Sequence, residues 1–198
     1  DGGGWTVIQR RSEKEEGDEV FFERNSTEYE RGFGTAGESF WIGLTNLNAL
    51  TSYPNNQQAL RIELKISSGR HREEVVQYGE FHVGSAKEYK LTIEEYDHNK
   101  STSYNALSHH KGAKFTIRNN SKAADKDCRA GALSGGWWFT TCNEANLNGR
   151  KSNFSTLQKP GIIWKEISRM DYYEYTYDKV EMQIRDADFG FCTGSLKS

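Results

Sequence analysis

The chain has 198 residues, 26 Lys and Arg against 28 Asp and Glu, and a formal net charge of −2, so it suits one domain or a domain with an appended lobe. Charges of both signs are interspersed without a basic stripe, which excludes nucleic acid as the expected partner, and no apolar run reaches the ~20 residues of a membrane helix. Aromatic residues make up 13% of a sequence that is only 35% hydrophobic, so much of the core must be aromatic.

In chain order, the opening Asp1-Gly2-Gly3-Gly4 reads as the middle of something longer, with no secretory leader in view. Trp5 to Arg11 is β-rich and roughly alternating, which predicts a strand. The acidic run Glu13 to Glu19 reads as a solvated loop. Ser26 is placed to cap a short helix through Tyr29 and Arg31, ended by Gly32 and Gly34. The apolar run Phe40-Trp41-Ile42-Gly43-Leu44 leads into a second short helix, with Thr45 as cap and Leu47 and Leu50 on one face. Leu60, Ile62, Leu64 and Ile66 alternate strictly with Arg61, Glu63 and Lys65, the pattern of a strand with one buried face. Glu74 to Val83 and Glu88 to Tyr96 continue a meander.

After about Phe115 the periodicity fades. Residues 116–177 are rich in Asn, Ser, Lys and Gly, with scattered aromatics. Within them, Gly135-Gly136-Trp137-Trp138-Phe139 and Asn146-Leu147-Asn148-Gly149 suit neither a helix nor a strand. Glycines open backbone conformations closed to other residues, and indoles need a crevice and an N–H partner. Such an irregular, aromatic-packed lobe is where binding function tends to sit. Val180, Met182 and Ile184 then alternate again, and a lone late strand needs partners in the first sheet. The expectation is an α+β fold with a sheet body over 1–115 and 178–190 and a lobe over 116–177.

Cys128 and Cys142 are separated by a distance in sequence that suits a loop-closing disulfide, while Cys192 pairs with a missing segment or another polypeptide, or stays free. Three reduced cysteines in a cytosolic protein are the alternative. The sequons at Asn25, Asn99, Asn119 and Asn153 weigh against it and are the glycosylation candidates of an extracellular surface.

Gly3-Gly4-Trp5-Thr6-Val7-Ile8-Gln9-Arg10-Arg11, Tyr29-Glu30-Arg31-Gly32-Phe33-Gly34, Phe40-Trp41-Ile42-Gly43-Leu44 and Leu60-Arg61-Ile62-Glu63-Leu64 resemble, in order, the fibrinogen C-terminal-like domain. So do the Gly-Gly-Trp-Trp-Phe and Asn-Leu-Asn-Gly stretches and Gly161-Ile162-Ile163-Trp164, and the ending Met182 to Phe189 looks most like the angiopoietin branch. The resemblance implies a central antiparallel sheet with short helices, and an irregular C-terminal lobe stapled by a Cys128–Cys142 disulfide. It also implies secretion, recognition without catalysis, a cis bond at Thr141–Cys142, and an N-terminal subdomain that is missing here. Relatives often carry an upstream coiled coil, so an oligomer formed through an upstream segment is expected.

Two departures from that family follow. Its calcium loop carries two carboxylates before the first lobe cysteine, and here those positions fall on Asn120 and Lys122. Calcium takes six to eight oxygen ligands with carboxylates supplying charge, so an ammonium there argues that the metal is lost and that no cofactor is held. A shifted calcium site at Asp125 and Asp127 is the alternative. The family's pocket for acetylated sugars or short peptides maps to Asn143 and to Gln158 and Lys159, which build no apolar wall for an acetyl methyl. The expected ligand-binding surface is instead Asn143, Arg150, Lys151, Gln158, Lys159, Arg169, Tyr172 and Tyr173, a tyrosine and arginine mixture typical of interface hot spots.

The expected partner is therefore a cell-surface or matrix protein, with glycans as the alternative of an innate-immune lectin, and a purely structural matrix module as a third reading. His109-His110 lacks a partner at metal-ligand spacing and reads as a solvated loop. No Gly-x-Ser-x-Gly frames a nucleophile, so no catalytic residue is assigned. The five tryptophans read as core.

Overall fold

Strict alternation makes the central strand first. Leu60, Ile62, Leu64 and Ile66 enter the core from β4 (Gln58–Ile66), while Arg61, Glu63 and Lys65 stay half-buried on the opposite face. The computed structural model describes residues 3–12, 20–53, 56–66, 71–118, 134–140, 143–151, 162–165 and 177–189. Around β4 run β1 (Thr6–Arg11), β2 (Phe33–Gly34), β3 (Phe40–Trp41), β5 (Arg72–Val83), β6 (Leu91–Tyr96) and β11 (Lys179–Asp186). Three further short pieces, β7 (Thr116–Arg118), β8 (Gly135–Trp137) and β9 (Ala145–Asn146), precede β10 (Ile163–Trp164).

The main sheet has seven strands in the order β2-β3-β1-β11-β4-β5-β6, and all its pairings are antiparallel. The late strand does return to the first sheet: β11 lies between β1 and β4, with Met182 opposite Ile62 and Ile184 opposite Leu60. Its polar residues are less exposed than simple alternation suggests. Glu181 and Gln183 are also buried, because Arg10 Nε donates to Glu181 Oε2 at 2.7 Å and Gln183 Nε2 donates to Glu181 Oε1 at 2.5 Å. A buried carboxylate is tolerable only when paired in this way.

Both short helices form, with caps that differ from the sequence reading. In α1 (Ser26–Arg31) the cap is Asn25, not Ser26. Its Oδ1 accepts from Glu28 N at 3.0 Å, while the Glu28 carboxylate accepts from Asn25 N at 3.0 Å. This reciprocal box satisfies two orphan amides at once, which a hydroxyl one residue later could not do. In α2 (Leu44–Thr51) the cap position is Gly43 and no side chain bonds there. Thr45 sits inside the helix and its hydroxyl meets the Tyr89 hydroxyl at 3.4 Å. The inward face is Leu44, Leu47 and Thr51, so Leu50, expected beside Leu47, is instead 42% exposed. Thr51 Oγ1 accepts from Val83 N at 3.0 Å and Asn48 Nδ2 donates to Val83 O at 2.9 Å, seating α2 on β5. The strand expected from Glu88 begins only at Leu91, since Glu88 belongs to the preceding turn and its carbonyl accepts from Phe115 N at 3.2 Å.

One aromatic cluster joins the sheet to the residues beyond it. Tyr29, Phe33, Trp41, Phe115 and Trp138 meet mostly edge-on or tilted, with ring centroids between 5.2 and 6.3 Å apart. Edge contacts of this kind add about 0.5–1.5 kcal/mol each beyond the area buried. Four tryptophans, Trp41, Trp137, Trp138 and Trp164, are core as expected; Trp5 is only half-buried.

Candidate recognition lobe and its buried anchor

Among the described residues of the lobe, β7 pairs with β8 and β9 with β10. Gly135-Gly136-Trp137, expected to suit neither a helix nor a strand, forms β8, and Trp138 follows it directly. Trp138 Nε1 donates to Tyr89 O at 2.7 Å, and its ring packs edge-on against Phe81, Phe115 and Trp137. Gly135 has φ +73°, and a Cβ there would overlap the carbonyl oxygen of Asn148, so this glycine lets the Asn146–Gly149 turn approach β8, while Gly136 leaves room for the Phe115 and Tyr29 rings.

The turn is held by polar side chains buried with it. Asn148 Nδ2 donates to Gly136 O at 2.9 Å and Asn146 Nδ2 to Ser134 O at 3.0 Å. From β1, Gln9 Nε2 donates to Leu147 O and to Asn148 Oδ1, both at 3.1 Å. Arg11 Nη1 donates to Gly149 O at 2.6 Å and Leu147 O at 3.3 Å, while its guanidinium lies 4.2 Å from the Phe22 ring centroid. Arg11 is 0% exposed, so these carbonyls and the ring replace the water it has lost. Tyr29 completes the anchor by accepting from Gly136 N at 2.9 Å and donating to Phe22 O at 2.7 Å; burial pushes its hydroxyl pKa well up.

His110 corrects the expectation of a solvated histidine pair. It ends a 3-10 turn, Ala106–His110, and is 0% exposed. Its Nδ1 donates to Trp138 O at 2.7 Å, and its Nε2 accepts from Ala145 N at 2.9 Å and Glu144 N at 3.2 Å. Only the neutral ring can donate at one nitrogen and accept at the other. Burial, with the nearby His109 adding to it, lowers the pKa to about 4, the Trp138 carbonyl opposing. His109 is half-exposed, and its Nε2 lies 3.0 Å from Glu144 Oε2 on a buried carboxylate.

The expected binding residues fall in several places. Asn143 is 3% exposed and closes its own turn, accepting from Thr140 N at 2.9 Å and donating to Thr140 O at 3.0 Å. Arg150 is largely covered and forks onto Glu23, with Nη2 to Oε2 at 2.7 Å. Lys151 Nζ donates to Ser12 O at 2.5 Å. The Arg150 and Lys151 side chains thus tie the lobe to the segments flanking the acidic run, while Asn143 serves its own loop. Gln158, Lys159, Arg169, Tyr172 and Tyr173 lie outside the described residues. So do Asn120, Lys122, Asp125, Asp127, Cys128, Cys142, Cys192 and the sequons at Asn119 and Asn153. Asn25 and Asn99 are exposed. Asn120 and Lys122 together offer one neutral oxygen and an ammonium, a donor set that does not fit calcium. Among the described residues no cluster of three His, Cys, Asp or Glu is placed to hold a metal.

Sequence reasoning misses Gln9, Arg11, His110 and Glu144 because each looks like an ordinary polar residue. Two adjacent arginines closing a β-rich run, Arg10 and Arg11, are the one available signal, since strand alternation sends the second of them inward.

A family model described as fibrinogen beta and gamma chains, C-terminal globular domain, matches residues 1–187. Fibrinogen-like protein 1 of Rattus norvegicus is 32% identical over 203 aligned residues, covering 96% of this chain and 61% of that protein. Tenascin of Mus musculus is 34% identical over 199, covering 100% of this chain and 9% of its own length. The sequence therefore spans less than two thirds of either relative. The fibrinogen-like globe domain of human ANGPTL2 superposes with a TM-score of 0.74 at 30% identity, over 94% of this chain and 82% of that one.

Proposed function

Because the protein belongs to the family formed by the globular C-terminal domains of fibrinogen beta and gamma chains, we propose that it is a secreted recognition module that binds a cell-surface or matrix protein through residues 116–177. The domain type is non-enzymatic in its relatives. No helix among the described residues is long and apolar enough to cross a membrane. The observation that carries the reading is the buried anchor: Gln9, Arg11, Tyr29 and His110 fix the described base of the lobe, and a preformed base lowers the ordering cost of docking a partner. Asn143 is sealed and the Arg150 and Lys151 side chains are engaged, which moves the weight of the contact surface to Gln158, Lys159, Arg169, Tyr172 and Tyr173. An oligomer formed through an upstream segment would add avidity to each contact.

The test is cell-surface or matrix binding by the folded domain. Tyr172→Ala with Tyr173→Ala should weaken binding by at least about 2 kcal/mol, the range of an aromatic hot spot. Unchanged binding in a variant that still folds removes this surface from consideration. Retention on immobilised N-acetylglucosamine with release by free acetate would instead establish the lectin.

A further inference from the structure

Trp5, Arg61, Arg185 and Phe189 form a cluster on the sheet face that turns away from Leu60, Ile62 and Ile184. Antiparallel register sets Thr6 opposite Ile184, so Trp5 comes level with Arg185; Arg61, opposite Gln183, is a diagonal neighbour on the same face. The Arg185 guanidinium carbon stands 4.3 Å from the Trp5 ring centroid and 5.0 Å from that of Phe189, and the Arg61 carbon 6.0 Å from Trp5. Gly4 makes room for this stack, because a Cβ there would stand 2.6 Å from the Phe189 ring.

The charges of this cluster do not balance. Arg61 Nη2 pairs with Glu63 Oε1 at 2.8 Å. Among the described residues no carboxylate pairs with Arg185; its neighbour Asp186 accepts from Gln58 at 2.5 Å. The Nε atoms of Arg61 and Arg185 are both buried without an acceptor. Desolvation, then the Arg61 charge, lowers the Arg185 pKa, so the second guanidinium costs the first free energy. Both side chains are only partly covered and remain reachable from solvent.

Two planar donor groups beside one indole, with Glu63 pairing Arg61 on the side away from Arg185, are built to take an oxyanion edge-on. Both guanidinium groups sit on an open strand face, so the anion is best presented on an extended polymer lying across it. We propose that Arg61, Arg185 and Trp5 form a subsite for the sulfate groups of a sulfated extracellular glycan, on the sheet body and apart from the protein-binding lobe.

Titration of a heparin-derived hexasaccharide into the domain at low ionic strength, followed by calorimetry and tryptophan emission, tests this. Saturable binding is expected, with Arg185→Gln weakening it about tenfold and Arg61→Gln by a smaller factor, and with binding falling as salt rises. Arg61→Gln lies outside the Trp5–Phe189 sandwich, so it keeps the test open if Arg185→Gln unfolds; thermal unfolding reports which variants fold. The fully desulfated hexasaccharide should not compete. No binding by the unaltered domain, binding indifferent to both substitutions, or a response to inorganic sulfate with none to the hexasaccharide would each overturn the assignment.

Discussion

The seven-stranded sheet and the Ser134–Arg150 region are stabilised by different physics. In β4 and β11 the apolar side chains alternate, enter one core and need only each other. The lobe base has no such period. It relies on buried amides, a buried guanidinium and a neutral imidazole, each placed on a specific carbonyl or N–H. Hydrophobic burial is tolerant of small shifts, whereas a buried donor that loses its acceptor costs its full desolvation. The lobe base is therefore the more exacting structure, and rigidity there is what a recognition surface requires.

Four experiments probe that contrast. The greatest loss should come from the residue where the two regions meet. Trp138→Ala empties a cavity bordered by Trp41, Phe81 and Phe115 and leaves Tyr89 O without its donor, so equilibrium denaturation should show a loss of about 4 kcal/mol. A loss comparable to a surface substitution would mean the indole does not bridge sheet and lobe.

Acid should act next, and on the lobe. His110 has a folded pKa of about 4 against an ordinary value of 6.5, so between those values the unfolded state binds the extra proton. Its contribution is complete above pH 6.5, falls as pH drops through that window, and is gone below pH 4. The difference integrates to roughly 3 kcal/mol. His110→Gln, which cannot titrate, should flatten that part of the stability–pH profile; an unchanged slope would place the acid sensitivity elsewhere.

Arg11→Met keeps the stem on Phe22 and removes the donor to Gly149 O and Leu147 O. Roughly 2 kcal/mol should be lost, with amide exchange speeding up in Asn146–Gly149 before it does in β4. Uniform acceleration through both regions would show that the two unfold as one unit. Asn25→Ala deletes the capping box of α1, the helix that carries Tyr29 of the anchor, and should cost about 1 kcal/mol on equilibrium denaturation, with any speeding of lobe exchange smaller than in Arg11→Met.

The same contrast governs what is legible in the sequence. The β4 and β11 patterns can be read because burial on one face imposes a two-residue period. The motifs around Trp137 and Asn146 are recognisable as unusual, yet nothing local shows that Gln9 and Arg11 complete them, more than a hundred residues away. Helix caps are ambiguous by a residue or two because Asn25, Ser26 and Thr45 all favour such positions, and only the reciprocal contact with Glu28 selects Asn25. Adjacent histidines carry no signal of burial, so a solvated loop is the natural expectation for His110; Trp138 O and two amides decide otherwise.

Ordered motifs therefore carry the family resemblance, while two-residue periodicity determines the long strands of the sheet and the apolar residues they send into its core. Three-dimensional packing places β11 between β1 and β4 and fixes the lobe base on a buried arginine and a neutral histidine. It also sets Arg185 against Trp5 with no carboxylate paired to it among the described residues. Those outcomes depend on which donor meets which acceptor across distant segments, and long-range pairing leaves no period in the sequence.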